Sequence, residues 1–309
     1  MSLRRTASTL RVLISGIMAV SCLGLAGCGG KQDGAQKAAK TEKLVIATSG
    51  SDTMVNLAQM WAEEYQKVNP AVTVEVAGGG SGVGIRDLIQ GVITIANASR
   101  EMEPAEREQA KQKTGKDPVE FVVAYDALAV YASMKNPVDT LSLEELAGIY
   151  GENGQIEKWS QLGIDMKAIG ANDEIVRVSR QNSSGTYTYF REKVLHKKDF
   201  KMGSKDMSGS KDVVELVSKT AGAIGYSGMG YHTEHVKFVK VAAKKGEQGY
   251  EPSLDNVLSG KYPLARSLLM FTLGQPDVTT KAYIDWILSP AGQDIVKKAG
   301  YVPVAMMKK

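Results

Sequence analysis

The chain is expected to fold as two α/β lobes built on mainly parallel sheet. Three features of its 309 residues lead there. Short apolar, β-branched runs alternate with helix-periodic stretches from Leu44 onward, the pattern of strand–helix–strand units. About 280 residues remain once a leader is set aside, more than a single core usually serves. Two long apolar runs, Tyr125–Ala132 and "RSLLMFTL" at 266–273, are placed to carry the chain between lobes.

Each element has its own signal. "KLVIAT" ending at Thr48 predicts a buried strand. "DTMVNLAQMWAEEYQKV" (52–68) predicts a helix with Val55, Ala58, Trp61, Ala62 and Tyr65 inward, stopped by Asn69-Pro70. "VTVEVAG" (72–78) is a strand, "SGVGIRDLIQG" (81–91) a short helix and "VITIANAS" (92–99) a strand again. "EPAEREQAKQKTG" is polar almost throughout and reads as an exposed helix. "VEFVVAYDALAVYAS" (119–133) is one long extended stretch.

The second half repeats the theme. In "LSLEELAGIYG", Ser142 and Glu145 form a capping box. "EIVRVSR" is a strand and "TYTYFREKVLH" a helix. "DVVELVSKTAGAIGYSG" is a helix and then a glycine-rich strand. "TTKAYIDWILSPAGQDIVKKAG" closes the chain as a helix bent before Pro290. The lobes are then residues 44–126 plus 266–309, and 127–265.

The N-terminus has a different character. Arg4, Arg5 and Arg11 precede an apolar run from Val12 to Ala26, followed by Gly27 and Cys28. A basic start, a short greasy middle and small residues predict a secretory signal over 1–27. The run is short for a membrane span. "LAGC" resembles the lipobox of bacterial lipoproteins, which implies cleavage before Cys28 and a lipid on its sulfur. "GGKQDGAQKAAKTEK" (29–43) reads as a flexible tether, so that 28–43 joins anchor to fold. Cys22 leaves with the signal, so no disulfide is expected. The signal also removes three arginines and no acid, leaving 35 basic against 34 acidic residues. That near-neutral balance gives no footing for nucleic-acid binding.

Four strand-to-helix turns share one chemistry: "SGSDTM" (49–54), "GGGSGVG" (78–84), "NASRE" (97–101) and "RQNSSGT" (180–186). Each brings hydroxyls, two bring an arginine, and helix N-termini offer unpaired N–H groups and partial positive charge. Hydroxyls at helix starts are usually caps. Three successive glycines before Ser81, and an arginine that no cap requires, turn the reading toward a compact oxyanion. In open α/β sheets ligands sit beyond the carboxyl ends of strands, where all four turns fall.

Enzyme chemistry is poorly supplied. "GGGSGVG" lacks the Lys-Ser/Thr of a nucleotide phosphate loop, and no serine sits in a Gly-x-Ser-x-Gly elbow. "HTEH" (232–235) offers two histidines without a third ligand and is expected in a solvated loop. No metal and no cofactor are called for.

In order and spacing, "GSDTM", "GGGSGVGI", "ANASRE" and "RQNSSGT" resemble the phosphate-binding components of bacterial ATP-driven (ABC) phosphate importers. "IYGENGQIEKWSQLG", "GAIGYSGMGY" and "YIDWILSPAGQDIVKKAGYVPV" extend the likeness over roughly residues 44–304. The resemblance implies a periplasmic-binding-protein-like (type II) fold with a hinge of two crossing strands. It implies a receptor that captures phosphate and delivers it to a membrane permease, and a non-enzymatic, exported monomer fits such a shuttle. It places Ser51, Thr53, Ser81, Ser99, Arg100, Arg180, Ser184, Gly185 and Thr186 around the anion. Two positions depart from many family members: Arg100 stands where some carry aspartate, and Asn182 where aspartate is frequent. Asp52 is the nearest acid in the motifs and the candidate acceptor for a proton of phosphate, which sulfate lacks. The alternatives are a receptor for another tetrahedral oxyanion, a sensing or adhesion protein, and a phosphoester-handling enzyme.

Overall fold

A computed structural model describes residues 44–307. The expected signal, the tether, Cys28 and the last two residues lie outside the described residues.

The first half opens with β1 (Leu44–Gly50), α1 (Val55–Val68) and β2 (Val72–Gly79). It goes on through α2 (Ser81–Ile89), β3 (Ile95–Ala98) and α3 (Pro104–Thr114) to β4 (Pro118–Ser133). The middle holds β5 (Thr140–Ser142), α4 (Leu143–Tyr150), β6 (Val176–Arg180), α5 (Gly185–Lys193) and β7 (Lys205–Met207). α6 (Ser210–Lys219), β8 (Ala223–Gly228), β9 (Val236–Ala242) and α7 (Leu254–Leu258) follow. β10 (Ala265–Leu273), α8 (Val278–Leu288) and α9 (Pro290–Lys298) end the chain. Three strands were not expected from the sequence: β5 and β7, three residues each, and β9, whose "VKFVKVA" alternates too weakly to stand out.

The strands join in the order β2-β1-β3-β10-β4-β8-β6-β7, with β9 pairing β4 and β5. β1 lies parallel to β2 on one side and β3 on the other. β6 likewise lies parallel to β7 and β8. The connection therefore reverses direction at β1 and again at β6, and such switch points open a crevice at the carboxyl ends. Both β1 and β6 run directly into candidate turns.

Two antiparallel strands tie the halves together. β4 is 16 residues long, roughly 50 Å at strand rise. Its first part pairs with β10, from Pro118 opposite Leu273 to Ala127 opposite Ala265. Its last part pairs with β8 and β9. These are the two crossing runs that the sequence singled out.

Each half-sheet is covered on both faces. Trp61, Tyr65, Tyr283, Ile284 and Val296 of α1, α8 and α9 pack on one face of the first half, and Ile85, Leu88 and Ala110 of α2 and α3 pack with Phe271 on the other. In the second half, Tyr150, Trp159, Phe190 and Tyr226 form one core, and Tyr131, Val178, Val213 and Val217 the other. Of the expected inward positions on α1, Ala58, Trp61 and Tyr65 are buried, whereas Val55 and Ala62 are half-buried. Leu57 takes a core place instead. The final helix is broken: Ser289 is extended at ψ 165°, because Pro290 excludes helical backbone from the residue before it. The Ser142 cap is present, its hydroxyl accepting from the Glu145 amide at 3.1 Å and the Glu145 carboxylate answering to the Ser142 amide at 3.0 Å.

Candidate functional site

All four turns meet where β1 and β6 end. Ser51 Oγ donates to Ser99 Oγ at 2.9 Å, and Ser99 Oγ lies 3.4 Å from Ser81 Oγ. Ser81 Oγ also accepts from the Ser99 amide at 3.1 Å. Thr53 Oγ1 reaches across to Thr186 Oγ1 at 2.8 Å. All five of these residues are 2% exposed or less, so the hydroxyls form a buried cluster. Hydroxyls both donate and accept, so such a cluster can turn its protons toward an incoming anion.

Backbone geometry allows this approach. Gly80 takes φ 97°, a region that side chains avoid, and passes the Ser183 carbonyl. The Gly82 amide donates to that carbonyl at 3.0 Å, joining the α2 and α5 starts. A β-carbon on Gly185 would run into Ser81 Oγ and Ser99 Oγ. Only glycine lets the α5 N-terminus come so near. Ser184 serves as the α5 cap, accepting from the Thr186 amide at 3.1 Å, which leaves its own proton to donate elsewhere.

Two tyrosines fix the first turn. Tyr231 OH donates to Asp52 O at 2.6 Å, and Tyr301 OH donates to Thr53 O at 2.7 Å. Burial pushes the Tyr231 hydroxyl up to about 12 and Tyr301 well above its ordinary value, so both remain donors at neutral pH.

Each arginine meets a carboxylate. Arg180, fully buried, donates to Asp52 Oδ2 at 2.9 Å, Ser210 Oγ at 2.9 Å, Ser208 O at 2.9 Å and Met207 O at 3.3 Å. Burial draws it below the usual arginine range, and Asp52 opposes that pull. Asp52 Oδ1 also accepts from the Gly79 amide at 2.9 Å. Asp52 thus binds Arg180 through one oxygen and the Gly79 amide through the other. Arg100 makes a bidentate pair with Glu106, both contacts at 2.7 Å. Its side chain is 8% exposed and lines a cavity of about 420 Å³ together with Tyr189, Lys193, Arg266 and Ser267.

The residues not anticipated are Arg266 and Asp126. Arg266 donates through Nε and Nη2 to Asp126 Oδ2 at 2.9 and 2.8 Å. Its Nη2 also touches Thr186 Oγ1 at 3.1 Å and Thr53 Oγ1 at 3.3 Å, and its Nη1 touches Ser99 O at 3.3 Å. Burial pushes the Asp126 carboxyl above its usual range, with Arg266 pulling the other way. A signal was present in the sequence. Asp126 is the one acid within "FVVAYDALAVYAS", and Arg266 opens the apolar "RSLLMFTL". Opposite charges in two buried strands are expected to pair. Strand-to-helix turns alone do not reach them.

His232 and His235 are exposed, and no cluster of metal-ligating side chains occurs among the described residues.

A family model described as a PBP superfamily domain matches residues 33–291. The phosphate-binding protein PstS of Pseudomonas aeruginosa is 35% identical over 269 residues, covering 84% of this chain and 83% of the relative. The chain belongs to the PBP superfamily and, within it, to the PstS family. A solved structure from Clostridium perfringens, a putative phosphate ABC transporter substrate-binding protein with bound phosphate, is similar at TM-score 0.73 and 31% identity. It aligns with 84% of this chain and 99% of its own. An ABC-type phosphate transport receptor from Vibrio cholerae is similar at TM-score 0.65 and 28% identity, over 83% of this chain and 99% of its own. The fold of this PstS-family chain is accordingly the two-lobed PBP architecture, with β4 and β10 as its crossing strands.

Proposed function

We propose that the chain captures inorganic phosphate between its lobes and delivers it to an ABC-type permease, without chemical turnover. The observation that carries this is the 2.8 Å contact between Thr53 and Thr186, hydroxyls 133 residues apart in sequence and on opposite lobes. In this reading residues 44–126 plus 266–309 form one lobe and 127–265 the other, closing about β4 and β10. Ser51, Thr53, Ser81, Ser99, Ser184 and Thr186 turn their protons onto the anion. Gly185 admits the α5 amides, and Arg180 with Asp52 draws the lobes together. Arg100, held by Glu106, borders the entrance. Charge-assisted hydrogen bonds, roughly twice as strong as neutral ones, replace the lost hydration.

The relatives named above are phosphate-binding transport proteins, which favours phosphate over other tetrahedral oxyanions. Isothermal titration with phosphate, sulfate and arsenate is the test. A dissociation constant near or below about 1 μM for phosphate, with sulfate far weaker, is expected. No heat with any of the three removes the reading.

Export and anchoring complete the proposal. Residues 1–27 direct the chain out of the cytoplasm, Cys28 carries lipid, and 29–43 let a monomeric receptor reach its permease. Cys28→Ser is expected to move the protein from the membrane fraction to the soluble fraction. Retention on membranes would show that another feature anchors it.

A further inference from the structure

Two buried arginines stand near the hydroxyl cluster, and they differ in what they have left to give. Arg180 spends four of its five N–H groups on Asp52, Ser210, Ser208 and Met207. None of these acceptors belongs to the hydroxyl cluster. Arg266 presents its Nη1–Nη2 edge to that cluster, with Thr53 and Thr186 hydroxyls as present acceptors. A hydroxyl that accepts from a guanidinium is readily displaced by an anionic oxygen, because the charge-assisted bond is stronger. The displaced hydroxyls can then donate to the same anion.

Asp126 explains why Arg266 stays there. The two residues stand directly opposite in the β4–β10 ladder, so their side chains leave the same face. Their side chains are 0% and 2% exposed. Asp126 Oδ1 is itself held by the Met229 amide at 3.0 Å, so the carboxylate has one fixed orientation. The guanidinium also stacks over Tyr189, 5.5 Å from the ring centroid, which closes its remaining flank. Arg266 thus touches Thr53 and Ser99 of one lobe and Thr186 of the other, while its backbone lies in a crossing strand.

We propose that Arg266 is the guanidinium that contacts the bound anion, with Asp126 as the residue that positions it. The inference rests on the anion-binding reading above and names a crossing strand, rather than the strand-to-helix turns, as the source of the charge.

The test is titration of inorganic phosphate into the full chain in detergent. Arg266→Gln is expected to bind roughly 100-fold more weakly, and Arg266→Lys to recover part of that loss. Asp126→Asn is expected to weaken binding by about tenfold alone, yet to add less than about twofold in the Arg266→Gln background. A residue that only supports the fold would cost the same in both backgrounds, and that result overturns the positioning role. Arg266→Gln binding within about threefold of wild type overturns the proposal while leaving the anion-binding reading intact. Wild-type protein that takes up no phosphate overturns both. Leaving Asp126 buried and unpaired can prevent folding, so the charge-free pair Arg266→Met with Asp126→Leu is made as well. A folded double variant with wild-type affinity sinks the proposal; a folded one without affinity supports it.

Discussion

At the residue scale, spacing decides more than charge. Gly185 has ordinary helical backbone, so alanine there costs nothing in conformation. Its β-carbon instead meets Ser81 and Ser99 across the cleft. Gly185→Ala is therefore expected to lower stability in denaturant melts by about 1–3 kcal/mol, the usual cost of overpacking, and to weaken phosphate binding. Equal affinity by titration would mean that the lobes approach less closely when the anion is bound. Thr186→Val keeps shape and removes only the hydroxyl that touches Thr53 and Arg266. It is expected to cost about 1–3 kcal/mol of binding, the loss from leaving an anion oxygen unpaired. The hydroxyls were legible in the sequence because they sit in glycine-marked turns. Asp126 and Arg266 were not read as site residues, because their roles depend on a ladder register that pairs positions 140 apart.

At the element scale, caps and strand ends set where the turns begin. Asp277 accepts from the Thr280 and Thr279 amides at the start of α8, and Thr280, through amide and hydroxyl, holds its carboxyl below the usual range. A lowered folded value means stability that is present above the unfolded value of 3.8 and lost as pH falls through the folded one. Asp277→Ala is expected to cost about 1 kcal/mol in denaturant melts at pH 7. Asp277→Asn, which keeps an acceptor without charge, is expected to cost less and to flatten the acid limb. An acid limb unaltered by both changes would rule out the cap as its source. The break between α8 and α9 was foreseen from Pro290, a local rule. The short β5 and β7 were not, since three residues carry too little pattern to separate a strand from a loop.

At the scale of the whole molecule, the Asp52–Arg180 ion pair joins the two halves of the described chain. Asp52 belongs to the first turn and Arg180 to the end of β6, and their 2.9 Å contact joins the halves beside the Tyr231–Asp52 bond. Asp52→Asn is expected to open the unliganded protein, seen as a larger radius of gyration in solution scattering. Phosphate affinity is expected to fall by about tenfold or more. Scattering curves identical to wild type, with and without phosphate, would remove the latch. Ligand linkage gives a further check: phosphate at 100 times its dissociation constant is expected to add about 2.7 kcal/mol to unfolding.

What the amino-acid order determined by itself was local: strand and helix alternation, the capping box, the proline break, and four hydroxyl-bearing turns. Hydrophobic period and backbone chemistry act within a few residues, so they can be read along a line. Tertiary structure alone decided which arginine faces the hydroxyls and which carboxylate holds it. Those pairings follow from sheet order and register, where a slip of one residue between β4 and β10 would put Asp126 and Arg266 on different faces.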